Sequence, residues 1–190
     1  MKSTLVTAAF IALFSTAGFS QTWNWDKAHS QLNFGITHLS ISEIDGSFGS
    51  VTAKITSSRE DLTDAVVELS AEVGSINTGN EQRNNHLKSP DFFDAAKYPT
   101  LTFKSTSFKK TGAKTYEVAG DLTLHGVTKP VVLNATLNGT TVNPQSKKTI
   151  AGFKVTGTIK RTDFGIAAGF PSAMLSDEVA LNANAEFVKD

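Results

Sequence analysis

Three arginines and four histidines carry most of the chemistry that this chain could do. Arg161 and Asp163 share parity with Phe153, Val155 and Ile159, so on one extended strand all five side chains fall on the same face. An ion on an apolar face must be paired or must reach water. Two readings stay open: a hydrogen-bonded plug closing one end, or a polar mouth holding a carbonyl or a phosphate, which an arginine fork suits. Arg83 and His86 lie three apart in a segment that reads as a short helix, so they share a side. His38 has the parity of Phe34 and Ile36 and is a candidate inward polar group. The four histidines (His29, His38, His86, His125) form neither His-x-His nor His-Glu-x-x-His, and no metal site is read from them. No nucleophile elbow, phosphate-binding glycine loop or dinucleotide fingerprint occurs. With no cysteine, thiol catalysis, disulfides and cysteine-ligated metals are excluded.

The elements that must position these groups are strands. Apolar residues alternate in eight runs: Leu32–Ile36, Phe48–Ile55, Val67–Val73, Leu101–Phe103, Tyr116–Leu124, Val131–Leu137, Ala151–Ile159 and Val179–Phe187. Parity slips between Phe48 and Val51, which predicts a bulge at Gly49-Ser50. Turn signals stand at Asp45-Gly46, Thr111-Gly112, His125-Gly126, Asn138-Gly139 and Asn143-Pro144. Residues 138–149 read as a long polar hairpin loop. Eight strands with one apolar face each and short connections form an antiparallel sandwich or a closed barrel. Helical signals are few: a Thr78/Glu81 capping box before Gln82–Lys88, then a turn opened by Ser89-Pro90. Trp23 and Trp25 share a face of an extended start and read as cover for a barrel edge.

Charge and length narrow the function. The 190 residues fit one domain, and 18 basic side chains balance 18 acidic ones. Binding to nucleic acid through phosphate attraction needs a basic surplus, so that class is excluded. Residues 1–20 are a signal peptide by pattern: Lys2, an apolar stretch from Leu5 to Phe14, and Gly18-Phe19-Ser20 as the small-residue cleavage site. The barrel domain then covers 21–190, and the stretch is too short for a permanent anchor.

The apolar faces mix large residues with Ala53, Ala71, Ala135, Ala151, Gly157, Ala183 and Ala185. An eight-stranded barrel is at the size where side chains just fill the inside or leave room for one small ligand. Composition leaves filled core and hollow lumen both open. A tall apolar lumen would select long hydrocarbons, each five-carbon isoprene unit contributing on the order of 3 kcal/mol before ordering costs.

Six phrases in order carry a resemblance. They are Asp26-x-x-His29-Ser30 with Leu32-x-Phe34; Gly46-x-Phe48-Gly49; Arg83-x-x-His86-Leu87-Lys88-Ser89-x-Asp91-Phe92-Phe93-Asp94; Tyr98-Pro99-Thr100-x-x-Phe103-Lys104-Ser105; Gly120-Asp121-Leu122-Thr123-x-His125-Gly126-Val127-Thr128-Lys129-Pro130; and Lys160-Arg161-Thr162-Asp163-Phe164-Gly165. From Trp23 to Val188 the chain resembles the YceI-like family of bacterial periplasmic proteins. The resemblance implies an all-β, eight-stranded antiparallel, lipocalin-like barrel with one or two short helices covering an end. It further implies a pore that binds a polyisoprenoid, such as an isoprenoid quinone or a prenyl pyrophosphate, with no required cofactor and no catalysis. Asn84 stands where family members often carry Asp. The candidate ligand-binding set is Phe34, Ile36, His38, Leu69, Ala71, Arg83, His86, Phe92, Phe93, Phe103, Leu122, Leu124, Phe153, Val155, Arg161, Asp163 and Phe164. Expected partners are the long-chain isoprenoid lipid, a membrane in passing and a second copy of the chain. A scavenger of lipophilic toxins or antibiotics, and an enzyme acting on such lipids, are the competing functions.

Export to the periplasm predicts a chain that begins near Gln21 when the secreted protein is sequenced from its N-terminus. A secreted chain still starting at Met1 or Lys2 removes the leader assignment.

Overall fold

The computed structural model describes residues 20–190; residues 1–19 of the expected leader lie outside the described residues. Eleven strands form one sheet: β1 (Gln21–Trp25), β2 (Gln31–His38), β3 (Ser42–Phe48), β4 (Val51–Ser57), β5 (Val66–Glu72), β6 (Ile76–Asn77), β7 (Thr100–Lys110), β8 (Thr115–Leu124), β9 (Val127–Val142), β10 (Thr149–Lys160) and β11 (Leu175–Lys189). Neighbours are antiparallel throughout, and the pairing of Trp23 with Lys189 and of Trp25 with Phe187 joins β1 to β11 and closes the ring. Three staves are each broken once, β1 from β2, β3 from β4, and β5 from β6. The barrel therefore has eight staves.

Local chemistry explains the breaks. Between β1 and β2, Asp26 accepts the Ala28 amide and draws in His29, while the Ser30 hydroxyl bonds across to Glu186 on β11. The expected bulge at Gly49-Ser50 separates β3 from β4, and both amides there turn to Ser75. On β7 the register slips after Ser105, and the Ser105 hydroxyl stands in for a backbone carbonyl by accepting the Val67 amide at 2.8 Å. The slip moves the inward parity from Ser105 to Phe108.

Several turn expectations fail. Asp45-Gly46 lies inside β3, where Gly46 makes room for a ring rather than a turn. Asn138-Gly139 lies inside β9, whose pairing with β10 continues to Val142, so the loop is only 143–148. The helix α1 (Glu81–Leu87) is capped by Asn80, whose side chain accepts the Arg83 amide at 2.9 Å, and not by Thr78. Ser89-Pro90 opens a turn in which the Phe93 amide bonds back to the Leu87 carbonyl.

The two barrel ends differ. One carries the β2–β3 turn, α1 with the turns after it, and a short 3-10 turn (Arg161–Phe164) with the loop that follows. The other is floored by residues 58–65, which bury Leu62 and Ala65 in the core and offer the Asp61 carbonyl to the Tyr116 hydroxyl at 3.3 Å. Asp64 ties this floor to the wall by accepting the hydroxyls of Ser57 and Ser58. Ser57 foremost, then Ser58, hold the Asp64 carboxyl down at about 2. A depressed carboxyl contributes stability that is full above its unfolded value, about 3.9, and is lost as pH falls through the folded one. Protection of the Leu62 and Ala65 amides from exchange should hold at about pH 5 and drop toward pH 2, in that window and not above it. In Ser57→Ala the folded value moves toward the unfolded one, so the drop should be smaller. Equal protection at both ends of the window would sink this role for Asp64.

Candidate functional site

Inside the ring is a cavity of about 570 Å³ with an almost wholly apolar wall. That volume lies within the range of small-molecule sites. It runs from Trp25, Phe108 and Phe187 beside the floor to Phe92, Phe93, Phe170 and Met174 at the opposite end. The lining residues that also meet solvent, His38, His86 and Met174, all sit at that second end, which is the mouth.

Glycines on the inward face keep the lumen clear. A Cβ on Gly46 would lie 2.2 Å from the Phe34 ring, one on Gly120 2.5 Å from the Phe103 ring, and one on Gly157 2.5 Å from Leu133. Each large side chain is laid flat over a neighbouring strand because that strand offers no side chain beneath it. Phe34, Phe103 and Leu133 thus line the wall without crossing the lumen.

Fourteen members of the candidate set line the cavity: Phe34, Ile36, His38, Leu69, Arg83, His86, Phe92, Phe93, Phe103, Leu122, Leu124, Phe153, Val155 and Arg161. Three do not. Ala71 is buried in the core at 1% exposure and is not among the lining residues. Phe164 is equally buried but packs under the 3-10 turn, its carbonyl meeting the His125 ring nitrogen at 3.0 Å. Asp163 is exposed, because the strand ends at Lys160 and the 3-10 turn rotates it outward, so the parity argument fails beyond the strand. Sequence reasoning missed Trp25, Ile44, Ile166, Phe170 and Met174, which also line the cavity. Trp25, read from the sequence as cover for a barrel edge, stands in the cavity wall instead. Ile166, Phe170 and Met174 belong to an irregular loop that has no periodicity to read.

Two arginines reach the cavity with opposite states. Arg161 is 3% exposed, and all five of its N–H donors are used by backbone carbonyls: Ser176, Ile166, Ala167, Phe170 and Leu175, at 2.5 to 3.1 Å. It forms no ion pair among the described residues; five carbonyl dipoles surround the charge instead. Arg161 is the knot that holds the loop 166–176 over the barrel end. Arg83 is half-buried and uses only part of its fork: Nε donates to the Thr78 hydroxyl and Nη2 to the Thr78 carbonyl, both at 2.7 Å. Its Nη1 has no hydrogen bond among the described residues. Asn84 Oδ1 accepts the amide and the hydroxyl of Thr78, so this position braces Thr78 under Arg83. His86 packs edge-on against Phe92, whose ring meets Phe170 at 5.3 Å, and Phe93 meets Phe48 at 6.1 Å.

A closed eight-stranded barrel around an apolar, one-mouthed cavity defines the class of small-molecule-binding β-barrels. The YceI-like domain model matches residues 23–187, and the chain belongs to that family. It is 38% identical to protein YceI of Escherichia coli O157:H7 over 193 residues, covering 100% of this chain and 99% of that one. The crystal structure of the YceI protein of Campylobacter jejuni superposes with a TM-score of 0.72 at 32% identity, covering 81% of this chain and 90% of that one. A polyisoprenoid-binding domain from Saccharophagus degradans, implicated in plant cell wall breakdown, shares the fold with a TM-score of 0.63 at 20% identity, covering 88% and 98%.

Replacing Arg161 with Met strands five carbonyls at the barrel end. Charge-assisted bonds of this kind contribute about 1.5–3 kcal/mol each, not additively, so Arg161→Met should lose about 3 kcal/mol or more in urea unfolding. A loss below about 1 kcal/mol would show that Arg161 does not hold the loop.

Proposed function

We propose that this barrel binds one long-chain polyisoprenoid lipid, an isoprenoid quinone or a prenyl pyrophosphate, and carries or stores it in the periplasm without transforming it. The single supporting observation is the hollow, almost wholly apolar lumen with its ionisable groups gathered at one end. The chain leaves water along the wall, and each buried isoprene unit contributes on the order of 3 kcal/mol before ordering costs. The head group stays at the mouth, where Arg83 Nη1 is the free donor and His86 and His38 also line the cavity. Arg161 has no donor left for a head group. The fold and the polyisoprenoid-binding domain from Saccharophagus degradans support this reading. Among the described lining residues the one hydroxyl, that of Thr78, is held by Arg83 and Asn84, which supports a reading of burial and head-group contact.

Native mass spectrometry of protein from its own periplasm, followed by organic extraction, tests the reading. The expected result is an isoprenoid at near-equal molar amount. Gly46→Ala should push the Phe34 ring into the lumen and lower lipid recovery while the barrel stays folded. Arg83→Met should weaken a prenyl pyrophosphate more than a neutral quinone by about tenfold, the scale of one charge-assisted bond. Protein that carries no lipid and takes none from detergent would overturn the proposal.

A further inference from the structure

The mouth has an apolar lip that the lumen does not need. Leu39 is 47% exposed, Ile41 84% and Met174 48%. Leu39 and Ile41 form the tip of the β2–β3 hairpin, closed by the Ile41 amide on the His38 carbonyl at 3.1 Å. The tip is bolted to the neighbouring loop: the Leu39 amide donates to the Met174 carbonyl at 2.9 Å, and the Ser40 hydroxyl donates to the Ala173 carbonyl at 3.4 Å. Among the described residues the other large exposed apolar side chains, Val66, Val132 and Val142, are on other strands, β5 and β9.

Two observations say what covers this lip. The first is charge. Residues 164–176 include no charged side chain, and neither do Leu39 to Ser42; charge resumes at Glu43 and at Asp177, both carboxylates. A cluster shaped for an anionic surface would be ringed by lysines and arginines. A charge-free tip with acidic shoulders instead suits shallow entry into an uncharged, zwitterionic bilayer, where a charge at the tip would be costly. The second is continuity. Met174 belongs both to the lip and to the cavity wall, and His38, which precedes Leu39, also lines the cavity. A hydrocarbon chain could pass from bilayer to lumen along this edge without being exposed to water. A second copy of the chain fits the patch poorly: a stable protein interface takes about 20–30 residues a side, and this lip is a handful.

The turn itself is costly for what it carries. Leu39 and Ser40 both have positive φ, 51° and 59°, where a two-residue hairpin turn ordinarily has Asn-Gly. A leucine is held in the left-handed region at the outermost point of the mouth.

We infer that the lip of Leu39, Ile41 and Met174 docks the barrel mouth-down on a zwitterionic lipid bilayer, from which the lumen is loaded. The inference rests on the proposed lipid-binding function, and docking is read on vesicles that contain no isoprenoid. The probe is the flotation of the protein with phosphatidylcholine vesicles. Wild type should float with them, phosphatidylglycerol should not improve binding, and added salt should not release it. Ile41→Asp and Leu39→Asn should each weaken binding about tenfold or more, the scale of one aliphatic side chain withdrawn from hydrocarbon. Asn tolerates positive φ, so Leu39→Asn keeps or improves the fold and its loss of binding is not a folding failure. Ile41→Trp should give a blue-shifted emission on vesicles, quenched by brominated phosphatidylcholine. The inference is overturned if wild type stays with the unbound fraction, if Ile41→Asp floats as well as wild type, or if sedimentation shows a dimer that Ile41→Asp dissociates. Uptake of ubiquinone-8 from detergent micelles is the separate readout for the lumen. Equal uptake by wild type and Ile41→Asp with no flotation would remove docking alone, and flotation with no uptake by either would remove the proposed ligand alone.

Discussion

When β1 pairs with the end of β11, every strand except the two-residue β6 has a neighbour on both sides, and the apolar faces look inward. A closed ring of eight staves fixes an interior of given width whatever lines it. Side chains then decide whether that width is filled. Here alanines at 53, 135, 183 and 185 shorten the wall, and glycines at 46, 120 and 157 let Phe34, Phe103 and Leu133 lie along it. Backbone pairing around the circumference carries the fold, so the middle can stay open. The packed parts are the floor around Leu62 and Tyr116 and the cover around Phe164 and Ile166.

Closure also explains the division between the arginines. The cover is irregular chain, and irregular buried chain leaves carbonyls without ladder partners. A guanidinium with five donors in a fixed fork is a compact way to collect them. Arg161 does this at the end of β10, where strand gives way to turn. Arg83 sits on a short helix braced by Thr78 and Asn84, and its remaining donors are left at the mouth. The same side chain is structural where the backbone is in need and available where the backbone is already satisfied.

Alternation made the eight staves, their inward residues and the bulge at Gly49-Ser50 legible in the sequence, because period two survives wherever one face is buried. It misled at the strand ends. Asp163 shares parity with Ile159 on paper, yet the chain leaves the strand at Lys160 and the parity means nothing beyond it. Glycine misled at Asp45-Gly46 and Asn138-Gly139, since a missing side chain serves a ring lying flat or a bulge as well as a turn. The real turn at Leu39-Ser40 uses neither glycine nor asparagine and gave no signal. Leu69, Phe103, Leu122 and Val155 could be placed on the wall from pattern. Phe170 and Met174 could not, because what places them is Arg161, and no local pattern announces which carbonyls a distant arginine will collect.

An apolar lumen discriminates by length and girth far more than by chemical identity, since burial is proportional to area and has no direction. Selectivity among greasy guests must therefore come from the few groups that do have direction. Asn33 and Asn182 lie midway along the wall, and the ionisable ones are at one end: Arg83 with its unspent Nη1, His86 against Phe92, and His38 at the base of the hairpin tip. The opposite end is sealed by Asp64, Ser57 and the Tyr116 hydroxyl, which face the floor loop rather than the cavity. Under the proposed function a guest would enter tail first, and its tail would extend only as far as Trp25 and Phe187. The depth of that floor would then set the measure of the chain, and the mouth the choice of head.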